Sequence, residues 1–351
     1  MDMTGSISIG DRQFGGGAPC LLIAEVAQAH DGSLGQAHAL VDAAADVGAD
    51  VIKFQTHIAA EESTLEEPFR VNFSRQDETR YAYWKRMEFT EDQWKGLAIH
   101  ARERGLLFMS SPFSDAAVKM LHGIGVPAWK LGSGEVYNGS LINLISQTGL
   151  PVLISTGMSY WHEIDEAVKT MANEGIPYAV FQCTSKYPTP LEQVGVNVIQ
   201  EMRERYQCPV GLSDHSGNIY TALMALAQGC DMLELHVTFD RRMFGPDTSS
   251  SVTFQEFEVI HDAREAFYRI AQNPVDKDAL ARSMGLARSA FGKSLAPIRT
   301  LEVGTIIDES MLTFKKPATG LKKSDLDDVI GKRLVRRIEP KELIRWSDLE
   351  L

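Results

Sequence analysis

The sequence predicts an α/β protein: a (β/α)8 TIM barrel followed by a small C-terminal domain. Three observations carry that expectation. A short run rich in Val, Ile and Leu, followed by a segment of helical period, recurs eight times between Cys20 and about Ala271. Eight such units over roughly 250 residues is the count and size of a closed barrel. The helical segments often end on glycine, as at Gly48, Gly105, Gly125, Gly149, Gly175 and Gly229, which is helix-stop chemistry. A doubly wound open sheet is the competing architecture, but the units are regular and no GxGxxG turn follows any of them.

The strands are expected at Leu21–Val26, Asp50–Thr56, Leu106–Ser111, Ala128–Gly134, Pro151–Thr156, Tyr178–Thr184, Pro209–Asp214 and Met232–Thr238. Their near-continuous apolar character suits a parallel sheet covered on its outer face. Amphipathic spacing marks the helices between them, as with Leu40, Val41, Ala44 and Val47. The polar, aromatic stretch Ile58 to Phe89 breaks the rhythm after the second strand. A long βα loop lies on the face where barrels build active sites, so a lid is the expectation for 58–89. Residues 1–275 are assigned to the barrel, 276–292 to a charged linking helix, and 293–351 to a second domain of short strands and turns.

Composition narrows the function classes. The 351 residues are 44% apolar and 23% charged, with 35 Lys+Arg against 47 Asp+Glu and a formal charge of -12. This acidic balance disfavours nucleic-acid or anionic-membrane partners. No apolar stretch reaches the roughly 18 residues of a spanning helix, and the start of the chain lacks the build of a signal peptide. Cys20, Cys183, Cys208 and Cys230 form no CxxC pair. A soluble cytoplasmic protein without a disulfide framework is expected.

Polar residues at the C-terminal ends of barrel strands read as catalytic, and every strand here ends in chemistry. In order, the ends carry Glu25; Lys53 and Gln55; Ser110 and Ser111; Lys130, Ser133 and Glu135; Ser155 and Thr156; Thr184 and Ser185; Ser213 and His215; Glu234 and His236. In the third pair, Ser110 is the substrate-binding candidate. Burying an ammonium without an anion costs several kcal/mol. Lys53 and Lys130, inside apolar runs, are therefore expected to face an anion supplied by a ligand or by Glu25 and Glu135. Hydroxyls and the Gly-rich turns GSG and STG add a cradle suited to phosphate. His215 and His236 fall at matching depths on neighbouring strands, about 4.8 Å apart. Such a pair suits one divalent cation with coordination positions left open, a Lewis-acid site. The remaining histidines are expected mostly in exposed helices or loops, with His57 able to reach the pocket. A lysine Schiff-base aldolase is the alternative chemistry.

The segments IAEVAQAHDGSL, DVIKFQTH, WKLGSGEV, LISTGM, CTSKYPTP, GLSDHS and ELHVTFDRRMFGPD, in this order, resemble the sialic acid synthase family. Those enzymes condense phosphoenolpyruvate with an N-acetylated hexosamine to give a nine-carbon 2-keto-3-deoxy acid and phosphate. The C-terminal segment resembles that family's SAF (antifreeze-like, β-clip) domain. The resemblance implies a cytoplasmic transferase, a domain-swapped homodimer in which each small domain caps the partner's site, and Mn2+ or Mg2+ on His215 and His236. It implies that Lys53, Lys130, Ser133, Ser155, Ser185 and Ser213 hold phosphoenolpyruvate, and that Gln55, Tyr187 and Asp247 contact the sugar. Glu25 and Glu135 would be the active-site carboxylates, handling hydroxyls, water and protons.

Three positions depart from the family's commonest pattern: Ser185 for Asn, Leu235 for Lys, and Lys316 where an arginine reaches the acceptor's N-acetyl group. Lysine cannot copy a planar guanidinium fork, so Lys316 makes acceptor identity the open question. A pyruvate-dependent aldolase and a non-catalytic sugar-acid binder are the competing functions.

Overall fold

Each of the eight apolar runs becomes a parallel strand. In the computed structural model, which describes residues 5–71 and 73–350, the chain divides into units of residues 1–272 and 273–351. A hairpin of β1 (Ile7–Ile9) and β2 (Arg12–Phe14) precedes the barrel strands. Those are β3 (Leu21–Ala27), β4 (Val51–Thr56), β5 (Leu107–Pro112), β6 (Trp129–Leu131), β7 (Val152–Ser155), β8 (Tyr178–Cys183), β9 (Val210–Asp214) and β10 (Met232–Thr238). They run in the order β5-β4-β3-β10-β9-β8-β7-β6. The pairing of the eighth barrel strand with the first, Met232 opposite Leu21 through His236 opposite Glu25, decides between the two architectures. An open doubly wound sheet would not bring those strands together. β5 and β6 lie side by side at the remaining seam.

Period-two alternation sorts the strand residues. One set faces the helices and joins a core with Leu40, Val41, Trp94 and Phe257. The other fills the barrel: Leu21, Ile23, Val51, Met109, Leu153, Phe181 and Met232, with Ile7, Ile9 and Phe14 of the hairpin packed among them. Gly211 belongs to this inner set. A Cβ there would stand 2.5 Å from the Met232 carbonyl oxygen and 2.8 Å from the Phe181 ring, so a side chain does not fit.

Helices cover the outside: α1 (Leu34–Asp46), α2 (Ala59–Glu62), α3 (Arg80–Met87), α4 (Glu91–Glu103), α5 (Asp115–Ile124), α6 (Gly139–Ser146), α7 (Trp161–Asn173), α8 (Val198–Tyr206), α9 (Ile219–Ala227) and α10 (Phe254–Gln272). Their ends are written locally. Ser33 caps α1 by accepting from the Gln36 N–H, Thr90 and Gln93 form a reciprocal capping box on α4, and Gly125 ends α5 in the left-handed region at φ 84°.

The segment 58–89 is more structured than the expected loop. It contains α2 and α3, and Tyr83, Trp84 and Met87 bury against Ala59, Phe69, Phe73 and Tyr81 in a small core of their own. The second unit holds three short α-helices among its described residues, Lys277–Ser283, Gly285–Phe291 and Leu326–Val329, with strands, bridges and turns around Leu295, Leu301, Ile307, Val329, Leu334, Ile338 and Ile344. All four cysteines are buried free thiols. Among the described residues no helix is long and apolar enough to cross a membrane.

Candidate active site

The inner set of side chains turns from apolar to charged one layer above Met109 and Phe181. Glu25, two residues past Ile23, sits opposite Lys53 in the β3–β4 ladder. Both are buried, at 1% and 2% exposure, and Lys53 Nζ lies 2.8 Å from Glu25 Oε2. Lys130 is equally buried, and its Nζ donates to Ser155 Oγ at 2.5 Å. The carboxylate between the two ammonium groups is Glu234 of β10, whose Oε1 lies 3.7 Å from Lys53 Nζ and 3.6 Å from Lys130 Nζ. Ser213 donates to the same oxygen at 3.1 Å. Glu234 is thus the counter-ion of Lys130, a role the sequence reading offered to Glu135. Glu135 lines the cavity but accepts from the Asn138 amide instead, at 2.8 Å.

Burial disfavours both ammonium groups, with different outcomes. For Lys53, Glu234 and Glu25 together outweigh that penalty and hold its pKa above the ordinary value. For Lys130, burial prevails over Glu234, with Lys53 repelling it besides, and its pKa falls. Burial would raise the Glu234 carboxyl, but Lys130 and Lys53 overcome it and hold the group ionised. Lys130 is therefore the cation with charge to spare for an incoming anion.

His215 and His236 come together as the strand register requires, with ring centroids 5.2 Å apart. His215 Nδ1 donates to the Thr184 carbonyl oxygen at 2.9 Å. This places the proton on Nδ1 and leaves Nε2 as a lone-pair donor, the tautomer a metal ligand needs. Burial, reinforced by His236, pulls the His215 pKa down to about 3, so the ring is neutral. Among the described residues no cluster of three or more His, Cys, Asp or Glu side chains forms a closed metal cage. Two imidazoles beside a cavity fit an open divalent-ion site instead, with water or substrate completing the shell. The cavity wall carries six carboxylates against two lysines and two arginines, a balance that also suits an added cation.

The cavity encloses about 430 Å3. Its lining includes Glu25, Lys53, Gln55, Lys130, Ser133, Glu135, Ser155, Ser185, Tyr187, Ser213, His215, His236 and Asp247. Gln55 donates to Glu25 Oε1 at 2.9 Å and accepts from the Gln28 amide at 3.1 Å. The hydroxyls of Ser133 and Ser185 lie 2.8 Å apart.

One expected site residue, Ser110, lies elsewhere, and Lys316 is carried by the second unit. Ser110 has the opposite parity to Lys53 and faces the helices, where its hydroxyl meets Thr56 Oγ1 at 2.7 Å; its neighbour Ser111 lines the cavity, 3.4 Å from Lys53 Nζ. Lys316 belongs to the second unit, is exposed, and has its Nζ 5.3 Å from the Phe291 ring centroid. Leu235 faces the outer core at 1% exposure, so its departure from the family pattern concerns packing.

Other lining residues had no role assigned from the sequence, although Glu234 was placed at a strand end and His57 within reach of the pocket. Glu234 stands two positions before His236, and that parity alone places both on one face. His57 is a wall residue, its ring stacked between Trp84 at 3.7 Å and Phe113 at 4.4 Å, with Nδ1 2.5 Å from Glu62 Oε1. Glu62, Glu67, Arg70, Arg80 and Trp84 all come from the insertion. Arg70 donates to Asp247 Oδ1 at 2.7 Å and lies 3.8 Å over the Tyr187 ring.

Known proteins match this chain along nearly its whole length. The sequence profile of the NeuB family matches residues 40–274, and that of the SAF domain matches residues 292–350. The chain belongs to the NeuB family. It is 30% identical to the human N-acetylneuraminate-9-phosphate synthase, over 95% of this chain and 93% of the relative. It is 29% identical to the N,N'-diacetyllegionaminic acid synthase of Campylobacter jejuni, over 93% and 98%. Among solved structures it is similar to an N-acetylneuraminic acid synthetase from Leptospira borgpetersenii, crystallised with citrate. The TM-score is 0.72 at 29% identity, covering 82% of this chain and 98% of that one. The barrel, the SAF domain and the family expected from the motifs are thereby established.

Proposed function

We propose that this NeuB-family member is a transferase that condenses phosphoenolpyruvate with an N-acetylated hexosamine, giving a nine-carbon 2-keto-3-deoxy sugar acid and phosphate. The carrying observation is one cavity that holds two buried lysines, their bridging Glu234 and the open His215–His236 pair. Lys130, short of counter-charge, and the hydroxyls of Ser155 and Ser213 receive the anionic groups of phosphoenolpyruvate. Ser133 and Ser185 add donors on the adjoining wall. The sugar in its open-chain form lies toward Tyr187 and Asp247, which brings its aldehyde carbon to C3 of the enol ester.

A divalent cation, Mn2+ or Mg2+ on His215 and His236, supplies Lewis-acid polarisation when bound. C3 of phosphoenolpyruvate forms a bond to the aldehyde carbon, and the cationic C2 that results takes up water. The adduct then loses phosphate by C2–O cleavage, leaving the ketone. Glu25, oriented by Gln55 and Lys53, is the carboxylate placed to accept the proton that the added water gives up. Holding two reactants in one geometry supplies much of the rate enhancement.

The test is phosphate release from phosphoenolpyruvate with Mn2+ and a panel of N-acetylmannosamines. Turnover is expected, abolished by EDTA and restored by added Mn2+ or Mg2+; silence across the panel with no effect of EDTA sinks the reading. The lowered pKa of Lys130 favours a second reading, a pyruvate aldolase working through a lysine Schiff base. Borohydride with pyruvate separates the two, because the synthase leaves no trapped adduct. The proposal includes a cytoplasmic homodimer whose small domains cap the partner's site, checked by light scattering in solution.

A further inference from the structure

Glu25 takes up a proton in the reaction proposed above, so the group that fixes its carboxylate matters to the chemistry. Gln55 does this with an amide N–H, 2.9 Å from Glu25 Oε1. A side-chain amide is nearly symmetric in shape, so turning it over would present oxygen to the carboxylate at little steric cost. Something must hold it the right way round. Gln28 donates to Gln55 Oε1 at 3.1 Å, but its own amide oxygen is buried without a hydrogen-bond partner among the described residues. The orientation of Gln28 is therefore not set by a second contact, and it cannot dictate that of Gln55.

His57 can. It follows β4 directly, is 6% exposed, and has its ring clamped between those of Trp84 and Phe113, at 17° and 9° from parallel. The clamp restricts hydrogen bonding to the plane of the imidazole. There Nε2 lies 3.3 Å from Gln55 Oε1, and Nδ1 lies 2.5 Å from Glu62 Oε1. Glu25 demands the N–H of Gln55, which turns the amide oxygen toward His57 and makes Nε2 the donor. Two protons serve these contacts, one on Nε2 and one shared between Nδ1 and Glu62. The second oxygen of Glu62 is buried without a hydrogen-bond partner among the described residues. A carboxyl so poorly answered holds the shared proton firmly, and that contact keeps the ring in place.

We propose that His57, fixed by Glu62, is a positioning residue for the condensation: its Nε2–H locks the Gln55 amide so that N–H, not oxygen, faces Glu25. The inference rests on the synthase reading above and adds a residue that acts through Gln55 rather than on the substrates.

The experiment measures turnover of full-chain variants with phosphoenolpyruvate, Mn2+ and the panel of N-acetylmannosamines. His57→Phe keeps the aromatic stack and removes both nitrogens. It is expected to lower kcat about 10- to 100-fold, the scale on which a misplaced reacting group costs rate. KM for phosphoenolpyruvate should stay near that of the unaltered chain, because Lys53 and Lys130 are untouched. Glu62→Ala should follow His57→Phe, whereas Glu62→Gln should recover most of the rate, since its amide N–H can donate to Nδ1 and leave Nε2 protonated. Gln55→Ala combined with His57→Phe should be no slower than Gln55→Ala alone. A merely structural histidine would give losses that multiply. Multiplying losses, a Glu62→Gln variant as slow as Glu62→Ala, or an unchanged kcat in His57→Phe overturns the proposal. If the unaltered chain consumes no sugar of the panel, the synthase reading itself fails. Nitrogen-15 spectra of the histidine-labelled chain, assigned by the signal lost in His57→Phe, then decide the lock alone. A proton on Nε2, kept in Glu62→Gln and lost in Glu62→Ala, upholds it; a bare Nε2 in the unaltered chain, or a proton indifferent to Glu62→Ala, overturns it.

Discussion

Lys53 and Lys130 are ammonium groups at 2% exposure, and Glu234 lets both stay there by presenting one oxygen within 3.7 Å of each. That a buried anion must exist followed from residue chemistry alone. Which carboxylate supplies it did not, because Lys130 and Glu234 are a hundred residues apart and meet only across the barrel. His30 shows the same limit: expected in an exposed loop, it is fully buried against Phe89 at 4.8 Å. Its Nδ1 accepts from the Gly32 N–H at 3.1 Å, so a second proton would point at a donor. Burial accordingly pulls its pKa down from 6.5 to about 3. The unfolded chain then binds a proton that the folded chain refuses between those values, and stability falls as pH drops through that window. Around pH 5 this one site is expected to cost about 2 kcal/mol, with a slope approaching 1.4 kcal/mol per pH unit. Urea unfolding between pH 5 and 7 should show a shallower slope in His30→Phe; an unchanged slope would contradict the assignment.

At the scale of elements, strand boundaries were readable because parallel barrel strands are buried on both faces and bounded by turn residues. β3 and β10 are buried at every position. Parity within a strand was readable too, and it separates Ser111 from Ser110 once one inward residue is known. Gly211 was not distinguishable from any other strand glycine, since its constraint comes from Met232 on the next strand. Gly211→Ala is expected to destabilise the barrel by about 1–3 kcal/mol through overpacking, read as a lower denaturation midpoint with an unchanged m-value. The insertion was read as a loop although Tyr83, Trp84 and Met87 already carry helical spacing. Polar flanks hid that signal, and the small core it serves is assembled from α3 and from residues up to 21 positions before it, Ala59, Phe69 and Phe73.

Across the whole molecule, the C-terminal unit has its own core, with Leu295, Val329, Ile338 and Ile344 at 0% exposure. Residues 273–351 expressed alone are expected to give a cooperative thermal transition. Non-cooperative melting would show that their core depends on the barrel. The linear chain by itself determined the number and order of the barrel strands, and placed Glu25, Lys53, Lys130, His215 and His236 toward one end of them. These depend on local period and on counting units, which need no long-range geometry. Tertiary structure alone decided that β10 closes on β3, that Glu234 answers Lys130, and that the insertion delivers Arg70 and Arg80 to the cavity wall. Those outcomes depend on distances between segments far apart in sequence, which packing and charge pairing settle only when the cylinder has closed.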